Sequence, residues 1–195
     1  MDPFTYLSVL ISIVLALGMT RVLLGVGEML QARHRVHFHW IQSLWTLNLF
    51  LYLVIAWWIF YRWRFQPHWP FFLFLFVLIS PTLLYLAAVV LFPSECPPGE
   101  HGHDYGEHFF RNHRVFFTVF GLFVPVDVVD TLLKGHAHFL ALGPKYIISS
   151  AILFILFAVA AITPSKRYHA FFAIYALLHT LVMSDVLYYN LRSGI

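Results

Sequence analysis

The chain reads as an all-α, polytopic transmembrane helical bundle of one domain and six spans, with a faint pattern of two inverted halves of three. Three observations predict this class. Of 195 residues, 61% are hydrophobic and only 11% are charged, whereas soluble domains carry about a quarter charged residues. The apolar residues form continuous runs of about 20, the length that crosses a bilayer core of about 30 Å as a helix. Those runs also lack the alternation of barrel strands. Lipid offers no partner to a free amide, so a spanning segment is a helix or part of a closed barrel, and helices fit here.

The first run covers 4–30 and ends at the basic stretch Gln31-Ala-Arg33-His34-Arg35. The N-terminus reads Met-Asp-Pro-Phe with no basic region, and the run is too long for a signal segment, so it reads as a retained span. The second run, 40–61, stops at Arg62-Trp63-Arg64. The third, 70–92, opens on a proline at a permitted first-turn position and carries Ser80-Pro81, where a kink is expected. A long connection, 93–108, is rich in Pro, Gly, His and acids. The fourth run, 109–133, has Pro125 in its interior, the fifth is 146–162 and the sixth 168–191. Trp and Tyr crowd the run ends (Trp40, Trp57, Trp58, Tyr146, Tyr188), as the membrane interface favours.

The formal charge of +3 is too small and scattered for a nucleic-acid surface. A single cysteine, Cys96, excludes an internal disulfide and a CxxC site. Placing 31–39 inside puts Arg33, Arg35, Arg111, Arg114, Lys166 and Arg167 there, against Arg62, Arg64, Lys134, Lys145 and Arg192 outside. Both termini are then expected outside. The inverted repeat rests on His68-Trp-Pro-Phe71-Phe72 echoed by His169-Ala-Phe171-Phe172. It rests also on Gly18-Met-Thr-Arg21-Val-Leu-Leu echoed by Asp127-Val-Val-Asp130-Thr-Leu-Leu.

Several stretches carry a resemblance. They are Tyr6-Leu-Ser-Val-Leu-Ile-Ser-Ile with Leu17-Gly18-Met-Thr, Phe109-Phe-Arg-Asn-His-Arg, and Asp130-Thr-Leu-Leu-Lys134-Gly. Together they resemble an uncharacterised family of small bacterial multi-span inner-membrane proteins. The resemblance implies a bacterial inner (cytoplasmic) membrane and a spanning-helix fold; it implies no activity and no site residues.

Ionisable groups inside a span cost about 2.5–3.5 kcal/mol on insertion scales and turn toward protein or water, so they are the first candidates for function. In the first span, Gly18, Arg21, Gly25 and Glu28 fall on one stripe. That stripe suits either a charged lining or a close helix contact with Arg21 neutralised by a neighbouring acid. In the fourth, Asp127 and Asp130 lie three apart beneath Pro125. In the sixth, His179 lies near the centre with Asp185 further along. Ordered by depth, Glu28 and Arg21, then Asn48 and His179, then Asp127, Asp130 and Asp185 form an expected polar ladder for protons or cations.

The connections add a second candidate. His37 and His39 lie in one, and His101, His103 and His108 in the other, on the same side of the membrane; imidazoles with nearby acids suit zinc or nickel. Their spacing is loose, with no HExxH, so a solvated loop is the competing reading. No motif names a reaction or a cofactor. The expected function is a small ion or proton channel or transporter. A non-conducting accessory subunit or sensor comes second, and a membrane metalloenzyme third. The expected partners are the lipid bilayer and, through glycine-lined faces, further copies of the chain or a membrane complex; nucleic acid is not among them.

Overall fold

A computed structural model describes residues 3–35, 37–93 and 104–193, the side chains of 137 and 185–193 excepted. All the described regular structure is helical. The helices are α1 (Pro3–Gln31), α2 (Trp40–Phe60), α3 (Phe71–Val77), α4 (Ile79–Leu91), α5 (Tyr105–Gly121), α6 (Phe123–Leu133), α7 (His136–Ile162) and α8 (Lys166–Ser193), with a 3-10 turn at Tyr61–Phe65. Five stretches are long and apolar enough to cross a membrane: Pro3–Gln31, Trp40–Phe65, Phe71–Leu91, Tyr105–Leu133 and His138–Ile162. The helix α8 covers the run expected as a sixth span.

Prolines set the breaks. A proline removes one backbone N–H and its ring crowds the carbonyl four residues back. The third run accordingly splits at Leu78, three residues before Pro81, and the fourth at Leu122, three before Pro125. In α7 the break falls at Gly143, whose φ of 69° suits glycine, and Pro144 starts the straight part that follows. The fourth run begins one turn earlier than 109 because Asp104 caps it. Its Oδ1 accepts from the Gly106 and Glu107 amides at 2.8 and 3.0 Å.

Two ends of the bundle can be told apart. At one, hereafter the loop end, His37 pairs with Asp104 through a backbone bridge and Lys166 lies over the Phe110 ring. At the other, the hinged end, Trp63 of the 3-10 turn bonds Asp130 of α6. The outward surface is apolar along most of its length: Phe72 is 82% exposed, Leu23 59% and Ile155 60%. Water does not tolerate a belt of that extent, and acyl chains do.

The core is aromatic. Trp45 of α2 is fully buried and meets Phe116, Phe117, Phe120, Phe157 and Phe172 at centroid distances of 4.9–6.2 Å. Edge-to-face pairs predominate, as ring quadrupoles favour. The block joins α2, α5, α7 and α8 in the half of the bundle nearer the loop end.

The first-span stripe is a packing face. Leu7, Ile11, Leu15, Gly18, Val22, Gly25 and Met29 are its buried positions. A Cβ at Gly18 would lie 2.8 Å from the Leu53 side chain, and one at Gly25 would lie 2.3–2.5 Å from ring atoms of Phe92. The Phe92 ring is 1% exposed and cannot step aside. Gly25→Ala is therefore expected to destabilise the protein by about 1–3 kcal/mol through overpacking. Thermal unfolding in detergent checks this, with Gly27→Ala as the neutral control, since a Cβ there meets nothing within 4 Å.

Candidate functional site

Asp127 stands on the first turns of α6, after the break that Pro125 imposes. Its Oδ2 accepts a 2.8 Å hydrogen bond from the Tyr146 hydroxyl, which also lies 3.0 Å from Thr131 Oγ1. Tyr146 is placed by Pro144, two residues before it, where α7 straightens. Across from it, Ser149 Oγ lies 2.7 Å from His179 Nε2 of α8, and the His179 ring lies over Tyr175. Tyr52 of α2 has its hydroxyl within reach of Thr180.

Asp127, Thr131, Tyr146, Ser149, His179, Tyr52 and Thr180 line one cavity of ≈ 180 Å³ between α2, α6, α7 and α8, with Ile55, Ile59, Phe123, Val124, Leu142, Leu153 and Met183 as its apolar walls. Ile59, Leu142 and Ser184 place it in the hinged half. Toward the loop end it is floored by Tyr52 and Phe123, whose rings pack together at 5.7 Å, and Tyr52 meets Phe120 of the aromatic block at 5.0 Å. Asp127 also borders a hollow of ≈ 30 Å³ shared with Ser80, Trp63 and Asp130, a volume that accommodates about one water. Among the described groups, the polar partner of Asp127 is a neutral hydroxyl. The neighbouring cation, Lys134, is bound to Asp130.

Asp130 is the anchor of the hinged end. It is 7% exposed, forms an ion pair with Lys134 one turn on, and accepts from Trp63 Nε1 at 2.9 Å. Lys134 Nζ also donates to the Ile59 carbonyl at 3.3 Å and lies 5.5 Å over the Trp63 ring. Among the described residues, the Asp130 and Lys134 charges are paired with each other and hydrogen-bonded to Trp63 and the Ile59 carbonyl.

The remaining expected site residues are dispersed. Arg21 is half-buried, and its partners among the described residues are carbonyls: its Nη2 donates to Phe92 O and Pro93 O at 3.2 and 2.6 Å. Those carbonyls lie at the C-terminal end of α4, where helix geometry leaves acceptors unpaired. Glu28 is exposed. Asn48 is fully buried and donates to Leu44 O at 3.0 Å and to Ala173 O of α8 at 3.1 Å, stitching α2 to α8. The Asp185 side chain lies outside the described residues. The seven groups expected to form a ladder therefore divide: Asp127 and His179 share a cavity, and Arg21, Glu28, Asn48 and Asp130 lie apart from it.

The histidine connections also disperse. His37 is exposed, and His39 packs its ring edge-on against Phe110. Burial, then the charge of Lys166, lowers the His39 pKa from its ordinary value, while Asp104 opposes them. His108 Nε2 lies 3.2 Å from Val90 O. His101 and His103 lie outside the described residues. Among the described residues no three of His, Cys, Asp or Glu gather as a metal site.

Sequence reasoning passed over Tyr146, read only as an interfacial aromatic, and over Thr131, Ser149, Ser150, Thr180 and Ser184. One signal was present: Ser149-Ser150 interrupts an otherwise apolar run, and Thr180 and Ser184 lie one turn apart beside His179. No protein-family model matches the chain, nor does any curated protein or solved structure.

Proposed function

We propose that the protein is a six-span membrane carrier that binds a small organic cation in the Asp127 cavity and exchanges it for a proton. The single observation that carries this is the makeup of the cavity: one carboxylate, several hydroxyls, one imidazole and otherwise apolar walls. A lone carboxylate facing such walls is a costly charge unless something positive joins it. A protonated amine or quaternary ammonium with an apolar body satisfies both the charge and the walls; a proton on the carboxyl satisfies the charge alone. Two occupants that exclude each other are the minimum that exchange transport requires.

The aromatic block between cavity and loop end supports a carrier open on one side over a continuous channel. The Ser149–His179 pair has the first contact of a nucleophile and its base, but His179 Nδ1 is buried with no acceptor among the described residues to orient it. It reads better as a ligand contact than as a catalytic pair. A non-conducting module is the second reading, favoured by the structural bonds of Arg21, Asn48 and Asp130.

The test is flux in proteoliposomes with benzyltrimethylammonium as the probe and a pH gradient as the driving force. Gradient-driven accumulation that Asp127→Asn removes supports the carrier. No accumulation by the natural protein overturns it in favour of the module.

The charge count also leads us to place the loop end in the cytoplasm. Cys96, the single cysteine, falls in sequence between α4 and α5, so its labelling tests this orientation. A membrane-impermeant maleimide is expected to leave it unlabelled in intact cells and label it after permeabilisation; labelling in intact cells reverses the orientation.

A further inference from the structure

Two histidines outside the cavity are buried: His169 is 0% and His113 6% exposed. Their rings meet edge to face, with centroids 5.4 Å apart and 74° between planes. Each is held from behind by a backbone carbonyl. His113 Nδ1 lies 2.5 Å from Phe110 O, and His169 Nε2 lies 2.8 Å from Thr163 O. A carbonyl only accepts, so in the neutral imidazoles these two nitrogens carry the ring protons. The opposite nitrogens, His113 Nε2 and His169 Nδ1, are then bare lone pairs, buried, with no hydrogen-bond partner among the described residues. Two acceptors cannot satisfy each other.

We propose that His113 and His169 hold a soft monovalent metal ion, copper(I) or silver(I), between them at the loop end of the seam between α5 and α8. An imidazole whose second nitrogen is fixed by a carbonyl is the usual form of a metal-ligating histidine. Copper takes imidazole ligands, and metal–nitrogen bonds of about 2 Å in a linear pair set ring centroids roughly 6 Å apart, close to the 5.4 Å between these rings.

The surroundings select the charge. Among the described residues no carboxylate or thiolate completes a three-ligand group with these imidazoles. The cost of dehydrating an ion grows with the square of its charge, so a divalent ion would pay about four times the penalty of a monovalent one. The Phe117 ring stacks on His169 at 5.0 Å, and Phe110 and Phe109 approach it at 5.6 and 6.1 Å. Aromatic rings attract a monovalent cation and offer nothing that would neutralise a second charge. Copper(I) and silver(I) are filled-shell monovalent ions that are stable with two nitrogen ligands.

The experiment uses purified full-length protein in detergent, without a polyhistidine tag. It is titrated with silver(I), and with copper(I) under ascorbate against a copper(I) chelator. One tight equivalent is expected, with affinity reduced about tenfold or more by His113→Gln and by His169→Gln and unchanged by His37→Gln. X-ray absorption on the metal-loaded natural protein needs no variant and is expected to show a nitrogen-only shell at about 2 Å. Three results overturn the proposal: affinity that survives the double variant, a shell containing sulfur, or no tight equivalent.

Discussion

Replacing Asp127 with Asn is expected to abolish gradient-driven accumulation of benzyltrimethylammonium while leaving the helical content and the elution of the protein unchanged. Asn keeps the size of the side chain and a hydrogen bond to Tyr146, so the cavity walls stay where they are. What disappears is the charge. Hydrogen bonds and contacts to charged groups contribute about 1.5–3 kcal/mol each, so affinity should fall roughly ten- to a hundredfold. Exchange should be lost outright, because an amide cannot take up and release the proton. Asp127→Glu should retain part of both, and Tyr146→Phe should weaken binding less than Asp127→Asn does. The pH dependence has a definite sign. Protons compete for the carboxylate, so affinity for the permanent cation should fall with falling pH, by up to about tenfold per unit once the carboxyl is protonated. Binding that ignores both Asp127→Asn and pH would remove Asp127 from the mechanism.

Removing one partner of the Asp130–Lys134 pair is expected to have the largest effect on stability. Their side chains are 9% and 5% exposed, so Lys134→Met would leave a buried carboxylate with Trp63 as its remaining described donor. Stranding a buried charge in this way costs about 3–5 kcal/mol. The reverse change, Asp130→Asn, strands Lys134 with the Ile59 carbonyl and should cost a similar amount. The double variant Asp130→Asn with Lys134→Met should be milder than either alone, since no uncompensated charge remains. Thermal unfolding of the four proteins measures this coupling directly. Additive losses would mean that the pair is solvated and carries no structural weight.

The helices were legible in the sequence because bilayer crossing imposes a length, and prolines impose breaks at fixed offsets. The runs 40–61 and 70–92 meet the helices within a few residues, and the breaks at Leu78 and Leu122 fall where Pro81 and Pro125 require. Asp127 and His179, which line one cavity, stood out in the sequence for the same reason: a polar group in an apolar run demands an explanation. Their partners were not. A helix that is apolar all round carries no stripe to say which side faces in, so nothing in the composition aims Tyr146 at Asp127 or Ser149 at His179. At Arg21 depth was readable and direction was not: the packing reading expected an acid beside the guanidinium, and the partners described are two backbone carbonyls at the end of α4. Asp127 and Asp130 illustrate the same gap. Three residues apart, they look like neighbours on one face, yet one turns to α7 and the other to the Tyr61–Phe65 turn.

The breaks at Leu78, Leu122 and Gly143 share one half of the bundle, and the rings around Trp45 fill the other. Bending a helix where its hydrogen-bond ladder is already interrupted takes little work; parting interlocked aromatics takes a great deal. The molecule is thus mechanically lopsided, with a compliant mouth on a stiff base. In the proposed carrier, admitting a solute past Ile59 and Leu142 would ask only for flexing at joints already loosened, whereas delivery to the far face would wait for the rarer separation of α2, α5, α7 and α8. Turnover would then be timed by the base and not by the mouth, and amides of α5 around Phe117 should exchange with deuterium far more slowly than those of α6.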